Sequence, residues 1–301
     1  MEFELETNKR TAKDVLDYLF AGNKDEYFYG DAIRTDVYFK KVNSYLWSIL
    51  NIEMSLSEKK HVAPSPDNTE TCKRIFNTVL LMMYLPLSFK YIPVIKSFKI
   101  DIEIDYNDSD PKSVLYTAIR NVEDFVERIP EEYFTSPAST KYHGAFSGGL
   151  TYHSLGVLKS VLDTCDVYLR DKYYSLYITD INRRDSDIFT HIKYDICSNL
   201  PAILLHDFCK VGKYKFIEDK NKWEYNYDSE PSFQHGAESY RRIIHEGFHL
   251  SKEWELAVVY HMGVFDVSKQ EMMDFSSITE KVPEVLLLHH ADMISTKILH
   301  I

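Results

Sequence analysis

The stretch Leu204-Leu205-His206-Asp207-Phe208-Cys209-Lys210 decides how the rest of the chain is interpreted. Its apolar residues continue upstream to Ile203 and predict a helix that ends near Phe208, with Pro201 in the first turn. A histidine and an aspartate stand where this helix ends, and a carboxylate beside a buried apolar run needs a cation or a metal ion as its partner. Asp207 therefore indicates a functional site rather than ordinary packing.

Four other segments in the second half of the chain also present a histidine or an aspartate next to, or inside, a predicted helix. Residues 1–130 contain only His61 of the 12 histidines, so the chemistry is expected in the remaining part. The four segments are Gly-Gly-Leu-Thr-Tyr-His at 148–153, His-Gly at 235–236, Tyr-His-Met-Gly at 260–263 and His-Ala-Asp at 290–292.

Histidine and aspartate together are a ligand set for divalent metal ions. Imidazole nitrogen and carboxylate oxygen suit borderline and hard ions such as Mn²⁺, Fe²⁺, Co²⁺, Ni²⁺, Zn²⁺ and Mg²⁺. His206 and Asp207 are adjacent and would point in different directions from a helix. We therefore expect them to bind at neighbouring positions, or the carboxylate to bridge two ions. Two ions about 3.5–4 Å apart can activate a water molecule and stabilise the leaving oxygen of a phosphoester.

The composition predicts a folded, mainly α-helical protein. Of 301 residues, 45% are hydrophobic and only 10 are Gly and 10 are Pro, which argues against disorder. The first part, residues 1–130, is expected to be mostly helical with a small sheet. Helices are predicted at 11–20, 37–50, 72–84 and 111–129, and the alternation of Ile with Asp or Glu predicts a strand at 98–105.

The second part, residues 131–301, is expected to form a helical bundle with one small β-hairpin. A polar, Tyr-rich segment at 170–190 is interpreted as a connection between helices. The hairpin is predicted at 213–227 around Asp219-Lys220-Asn221, and helices are predicted at 151–169, 235–248, 252–261 and 283–299.

Net charge and cysteine placement narrow the class of protein. The formal charge is −11 without a long Lys/Arg run, which argues against a large nucleic-acid surface but leaves a small phosphorylated substrate open. The 4 cysteines are scattered without a CxxC pair, so neither disulfides nor a thiolate zinc site are expected. No secretory signal is visible, and the longest apolar stretch, Thr78–Leu87, is too short to span a bilayer. We therefore expect a cytoplasmic protein without a membrane partner.

The ordered set of histidines and aspartates resembles the HD superfamily of metal-dependent phosphohydrolases, whose motif is His, then His-Asp, then a distant Asp. The segment Pro-Ala-Ser-Thr-Lys-Tyr-His-Gly-Ala-Phe at 137–146 is similar to HD hydrolases of phages and prophages. It also resembles the HD domain of the YhaM-like 3′→5′ exoribonucleases of bacteria. The resemblance covers about residues 137–296, and the order and spacing of the motifs carry it.

The resemblance implies an HD-type helical bundle in which six side chains hold one or two divalent ions. Four of these side chains would be primary ligands, and the other two would complete a two-metal site. Met262 stands where many relatives have a further histidine, which argues against a third ion. The implied primary ligands are His153, His206, Asp207 and Asp292, and the completing ligands are His235 and His261.

Other matching residues are expected around the phosphate. Lys210 would contact the scissile phosphate and act in catalysis together with Asp207, although the same lysine would also suit a helix C-terminus. His143 either lines the substrate pocket or orders its loop. Tyr142 and Lys213 are further candidates for substrate binding.

Three functions are open at this point. The first is metal-dependent hydrolysis of a phosphoester on a nucleotide or another phosphorylated small molecule, by a nucleotidase or a nucleoside triphosphate hydrolase. The second is a 3′→5′ exonuclease on single-stranded RNA or DNA, although residues 1–130 lack the alternating strands of an OB-type module. The third is a non-catalytic binding protein stapled by its metal. An oligomer is compatible with all three, and a phage-encoded chain would act in the host cytoplasm.

Overall fold

The protein is mainly α-helical, as the sequence predicts, with small antiparallel sheets beside the helices. The computed structural model describes residues 28–29, 32–33, 35–57, 63–88, 90–94, 97–101, 114–177, 185–229, 234–263 and 269–300. Within these ranges, no helix combines the length and the apolar character that crossing a bilayer requires.

Long helices dominate the described part of the N-terminal region, and each overlaps a segment that the sequence predicts as helical. The predicted helix at 11–20 lies outside the described residues, as does the end of the predicted strand at 98–105. The helices are α1 (Thr35–Ser57), α2 (Pro66–Ser88) and α3 (Val114–Glu127); β1 (Phe28–Tyr29) pairs with β2 (Ala32–Ile33), and β3 (Lys90–Val94) pairs with β4 (Ser97–Asp101).

The second half of the chain supplies further helices and a hairpin. The helices predicted at 151–169, 235–248, 252–261 and 283–299 are confirmed, with ends that differ by several residues. The helices are α4 (Gly149–Tyr177), α5 (Asp185–Ser198), α6 (Leu200–Leu204), α7 (His235–His245), α8 (Lys252–Tyr260), α9 (Lys269–Lys281) and α10 (Pro283–Ile294), which a π-helical turn (Ser295–Leu299) follows.

The interpretation of residues 170–190 as a connection is wrong at 170–177 and 185–190, which are helical, whereas 178–184 lie outside the described residues. Helix α4 continues to Tyr177, and α5 begins at Asp185. The polar composition concealed a helical pattern, because Ile188, Ile192 and Ile196 recur every four residues and are buried in the core. Helix α9 was not predicted either.

A short hairpin follows the His-Asp segment, as predicted. Strand β5 (Tyr214–Ile217) pairs antiparallel with β6 (Lys222–Tyr225). A 3₁₀ turn connects the strands and ends at Asn221, whose backbone is left-handed with φ 47°. Asparagine tolerates this conformation better than most residues because its short polar side chain bonds locally.

One hydrophobic core includes side chains from both sides of residue 130. Phe76 of α2 packs against the rings of Tyr133 and Phe134, at centroid distances of 5.7 and 5.5 Å. The Tyr133 hydroxyl donates a hydrogen bond of 2.6 Å to the carbonyl of Leu204, the last residue of α6. The N-terminal helices therefore support the segment that carries the His-Asp pair, and the division of the chain at residue 130 stays a prediction.

Candidate metal centre

Separate elements bring histidine and aspartate side chains to one buried place. Neighbouring imidazole rings form a row, in which the ring centroids of His153 and His206 are 5.2 Å apart, those of His206 and His261 5.0 Å, and those of His261 and His235 5.3 Å. The elements are the start of α4 (His153), the segment after α6 (His206 and Asp207), the start of α7 (His235), the end of α8 (His261) and α10 (Asp292).

His206 and Asp207 reach the same place because the helix ends before them. Helix α6 stops at Leu204, and Asp207 has non-helical backbone angles (φ −102°, ψ 22°) ahead of the 3₁₀ turn Phe208–Lys210. The His206 Nε2 and Asp207 Oδ2 atoms are 3.6 Å apart. Adjacent side chains diverge inside a helix, but His206 and Asp207 follow the end of the helix, so both face one centre.

The ligand atoms form two overlapping groups that share His206. In the first group, His153 Nε2 lies 3.2 Å from Asp292 Oδ1 and 3.3 Å from His206 Nε2. In the second group, His261 Nε2 lies 3.5 Å from Asp207 Oδ1. Each group offers three ligand atoms within 4.8 Å of one another, so each could hold a metal ion.

Two of the histidines turn Nε2 toward the centre and Nδ1 toward a backbone carbonyl. His206 Nδ1 donates to the carbonyl of Ile203 at 2.9 Å, and His261 Nδ1 donates to the carbonyl of Val258 at 2.7 Å. Because a carbonyl only accepts, each Nδ1 carries a hydrogen, and in the neutral ring Nε2 is the acceptor; His206 Nε2 accepts from His153 Nε2 at 3.3 Å. Burial lowers the pKa of His206 to about 3, so this imidazole is neutral, as a metal ligand must be.

The strongest sign that the centre fits a cation is an orphaned nitrogen. His261 is fully buried, and its Nε2 has no hydrogen-bond partner. An unsatisfied buried polar atom costs about 1–3 kcal/mol. A metal ion bound to this lone pair would remove that cost, and the surrounding nitrogen and oxygen donors suit such an ion.

The carboxylates of the centre are ionised and hold charge on the imidazoles next to them. Burial alone would raise the pKa of Asp207, but the Lys210 ammonium and nearby imidazoles hold it well below its usual value. Burial lowers the pKa of His153, yet hydrogen bonds to Asp207 and Asp292 outweigh it and raise this pKa to about 9. In the same way, Asp207 outweighs burial and raises the pKa of His235 to about 10. Metal binding at these two imidazoles is therefore coupled to proton release.

Ser295 and Gly156 position His153 from behind. The Ser295 Oγ lies 3.3 Å from both the Nδ1 and the carbonyl oxygen of His153. A Cβ atom at Gly156 would lie only 2.5 Å from that Oγ, so the glycine lets α4 approach the turn after α10. No sequence motif points to Ser295, because it becomes a neighbour of His153 only through tertiary packing.

His235 lies on the other side of Asp207, with a cysteine behind it. Its Nε2 donates a short hydrogen bond to Asp207 Oδ1, and its Nδ1 lies 3.3 Å from the Cys209 Sγ. Sequence reasoning assigned no role to Cys209. It also missed Thr296, whose hydroxyl donates to Asp292 Oδ1 at 3.2 Å, although the i, i+4 spacing within the last helical segment was a usable signal.

Lys210 is bound to the carboxylate at the middle of the centre. The Lys210 Nζ lies 2.6 Å from Asp207 Oδ2. Burial lowers the pKa of Lys210, but the negative charge of Asp207 outweighs burial and raises this pKa, so the lysine is charged. Arg242 Nη1 donates to the carbonyl of Val211 at 2.9 Å, and Glu238 accepts from Arg242 Nε at 2.8 Å. This chain of bonds fixes the turn that presents Lys210.

The three predicted substrate-binding residues differ in their exposure and in their contacts. The ring centroids of His143 and His153 are 5.1 Å apart, and burial together with neighbouring positive charge lowers the pKa of His143 to about 3. Tyr142 stands beside it at the surface. Lys213 is half-buried before β5, and its backbone N–H donates to the Lys210 carbonyl at 3.1 Å. A role in substrate binding stays a prediction for all three.

No protein-family model, curated protein or solved structure matches this chain. The function of the centre therefore has to be argued from its own residues. Those residues are two buried His/Asp groups that could hold metal ions, with a charged lysine and a neutral histidine at their border.

Proposed function

We propose that this chain is a metal-dependent phosphohydrolase of the HD type that acts on a nucleotide. The observation that carries the proposal is the convergence of two His/Asp groups around His206. Their members follow the order His, His-Asp, Asp along the chain, and the lysine three residues after His-Asp contacts the shared carboxylate. A divalent ion such as Mn²⁺, Fe²⁺, Co²⁺, Ni²⁺, Zn²⁺ or Mg²⁺ bound here would supply Lewis acidity and an activated water molecule.

The two carboxylate oxygens of Asp207 support a site for one or two ions. Oδ2 lies 3.3 Å from His153 Nε2, whereas Oδ1 lies 3.5 Å from His261 Nε2. The carboxylate therefore faces both groups and is suited to bridge them. His153 and Asp292 would complete one side, His261 and His235 the other, with His206 between them.

The protein side chains next to the ligands would bind and orient the phosphate. Lys210 carries a positive charge at the border of the centre, where it would donate to a phosphate oxygen and stabilise the negative charge that develops in the transition state. His143 is neutral and half-buried, so it would contribute a hydrogen bond without a charge.

The composition supports a nucleotide monomer as the substrate and the cytoplasm as the compartment. The net charge of −11 disfavours a long phosphate backbone as partner, while the metal and Lys210 would supply positive charge locally. The thiols of Cys72, Cys165, Cys197 and Cys209 are buried and form no disulfide, which supports a reducing compartment.

The test compares the wild-type protein with Asp207→Asn in Mn²⁺. The substrates are bis-p-nitrophenyl phosphate, a panel of nucleotides and labelled single-stranded RNA. We expect the wild type to hydrolyse the aryl ester and at least one nucleotide, and Asp207→Asn to lose roughly 100-fold or more. The matched control is Asp228→Asn, because this aspartate side chain is 89% exposed on the same half of the chain.

Other outcomes of the same assay would support one of the alternative functions. Cleavage of RNA without any hydrolysis of nucleotides would support an exonuclease. A protein that binds Mn²⁺ but hydrolyses none of these substrates would be a metal-stapled binding protein, and the proposal would be rejected.

A further inference from the structure

A cavity of about 350 Å³ opens between the loop at 142–146 and the turn after α10. We call it the rim cavity. Its volume lies at the lower end of the range for small-molecule sites, about 300–1,000 Å³, and suits one nucleoside-sized group. The side chains that matter for its chemistry are Tyr142, His143, Phe146, Thr296, Lys297 and His300.

The rim cavity borders the candidate metal centre on two sides. His143 lines the cavity, and its ring centroid is 5.1 Å from that of His153. Thr296 lines the opposite wall, and its hydroxyl donates to Asp292 Oδ1 at 3.2 Å. A group that fills the cavity would therefore lie directly beside a phosphate held at the centre.

Lys297 gives the rim cavity a positive charge, whereas the whole chain is acidic. Its lining includes Lys297 and His300, and among the described residues that line it none is Asp or Glu. The chain as a whole has 46 acidic and 35 basic residues. A wall without carboxylates in so acidic a protein favours a ligand that carries negative charge or electron-rich atoms.

Aromatic rings on the loop side favour a flat ligand. Tyr142 is 77% exposed at the mouth of the cavity, His143 is half-buried beside it, and Phe146 is buried. Such rings stack on purine and pyrimidine faces, whichever base is present. Thr296, Lys297 and His300 supply polar groups to the rest of the lining, and such groups suit a sugar.

The loop that presents these rings is held in place before any ligand binds. Ser139 Oγ accepts from the Tyr142 backbone N–H at 2.9 Å and donates to the His143 carbonyl at 2.7 Å. The backbone N–H of Ala138 donates to the carbonyl of Gly144, whose φ of +56° favours glycine. A preorganised loop loses little conformational entropy when a ligand binds.

We propose that the rim cavity binds the base and sugar of a nucleotide, with the base stacked against Tyr142 and His143. The proposal rests on the proposed function of the adjacent centre, because the phosphate would be held there. It makes the substrate a sugar phosphoester that carries an aromatic base, and it assigns Lys297 and His300 to the wall that faces the base.

The test measures binding rather than turnover. The probes are a nucleoside phosphonate, whose P–C bond is not hydrolysed, and the same sugar phosphonate without a base. Calorimetry with the Mn²⁺-loaded wild-type protein is expected to show roughly tenfold or greater preference for the nucleoside probe. Tyr142→Ala and His300→Ala are expected to remove that preference. Tyr227→Ala is the matched control, because Tyr227 is 90% exposed and is expected to leave the preference unchanged.

The outcomes separate this proposal from the proposed function. Equal affinity for the two probes, or a preference that survives both cavity substitutions, rejects the rim cavity as the base site. If the protein still hydrolyses bis-p-nitrophenyl phosphate in that case, the proposed function stands alone. A base preference in a protein that hydrolyses no phosphoester would reject the hydrolase and keep the cavity as a nucleotide-binding site.

Discussion

Replacing His261 with asparagine should separate metal binding from folding. The asparagine amide keeps a donor near the position of Nδ1, so the hydrogen bond of 2.7 Å to the Val258 carbonyl can persist. The variant lacks Nε2, the buried nitrogen that has no hydrogen-bond partner. Removing an unsatisfied atom offsets part of the cost of the smaller side chain, so metal-free stability should fall by only about 1–2 kcal/mol.

The magnitude of the metal effect follows from linkage. At a free Mn²⁺ concentration 100 times the dissociation constant, binding stabilises the wild type by about 2.7 kcal/mol. Loss of a residue that merely supports a ligand weakens metal binding by about 10–100-fold, so we take roughly 100-fold for a direct ligand. The same Mn²⁺ concentration then stabilises the variant by about 0.4 kcal/mol. For a chain of 301 residues the unfolding entropy is about 0.63 kcal/mol/K, so the difference of about 2.3 kcal/mol corresponds to roughly 4 °C in Tm.

Thermal unfolding with and without Mn²⁺ measures this difference. The metal-induced rise in Tm should nearly vanish in His261→Asn, while the unfolding temperature in EDTA should fall by only roughly 2–3 °C. His245→Asn is the control, because the His245 side chain is 76% exposed. An undiminished Mn²⁺ shift in His261→Asn would refute the argument that the orphaned nitrogen is a metal ligand.

Three other substitutions probe the surroundings of the centre. Cys209→Ala removes the sulfur 3.3 Å from His235 Nδ1 and should weaken Mn²⁺ binding by about 10–100-fold in a calorimetric titration. Cys209→Ser should largely retain the affinity, and equal affinities of the two variants would contradict a role of Cys209 in positioning His235. Gly156→Ala would place a Cβ 2.5 Å from Ser295 Oγ and should lower the free energy of unfolding in urea by about 1–3 kcal/mol, and a wild-type value would show that the helices can move apart. Hydrogen bonds from two arginines lower the pKa of Glu238 from 4.5 to about 2, so its charge stabilises the fold above pH 4.5 and this contribution is lost as the pH falls through 2. Glu238→Gln should therefore be less stable at pH 7 by about 1–3 kcal/mol, with a gap that narrows below pH 4.5; a constant gap would exclude the ionic contribution.

Local patterns were sufficient for most of the fold. The spacing of apolar residues predicted the helices at 37–50 and 72–84, and turn residues predicted the hairpin at 213–227. The prediction failed at 170–190, where charged and Tyr residues masked Ile188, the first of three buried isoleucines that continue with Ile192 and Ile196. A helix needs only one narrow apolar stripe to pack against the core, even if its average composition is polar. The interpretation of this segment as a connection relied on the average composition.

The sequence alone determined which donor atoms are available, because His153, His206, Asp207, His235, His261 and Asp292 can be read in order along the chain. Tertiary structure decided which of these donor atoms face one another. Only the end of α6 at Leu204 lets adjacent side chains face one centre, and only packing brings Ser295 behind His153. The physical reason is distance along the chain: hydrogen-bond partners 142 residues apart leave no periodic pattern, so their geometry exists only once the helices have packed.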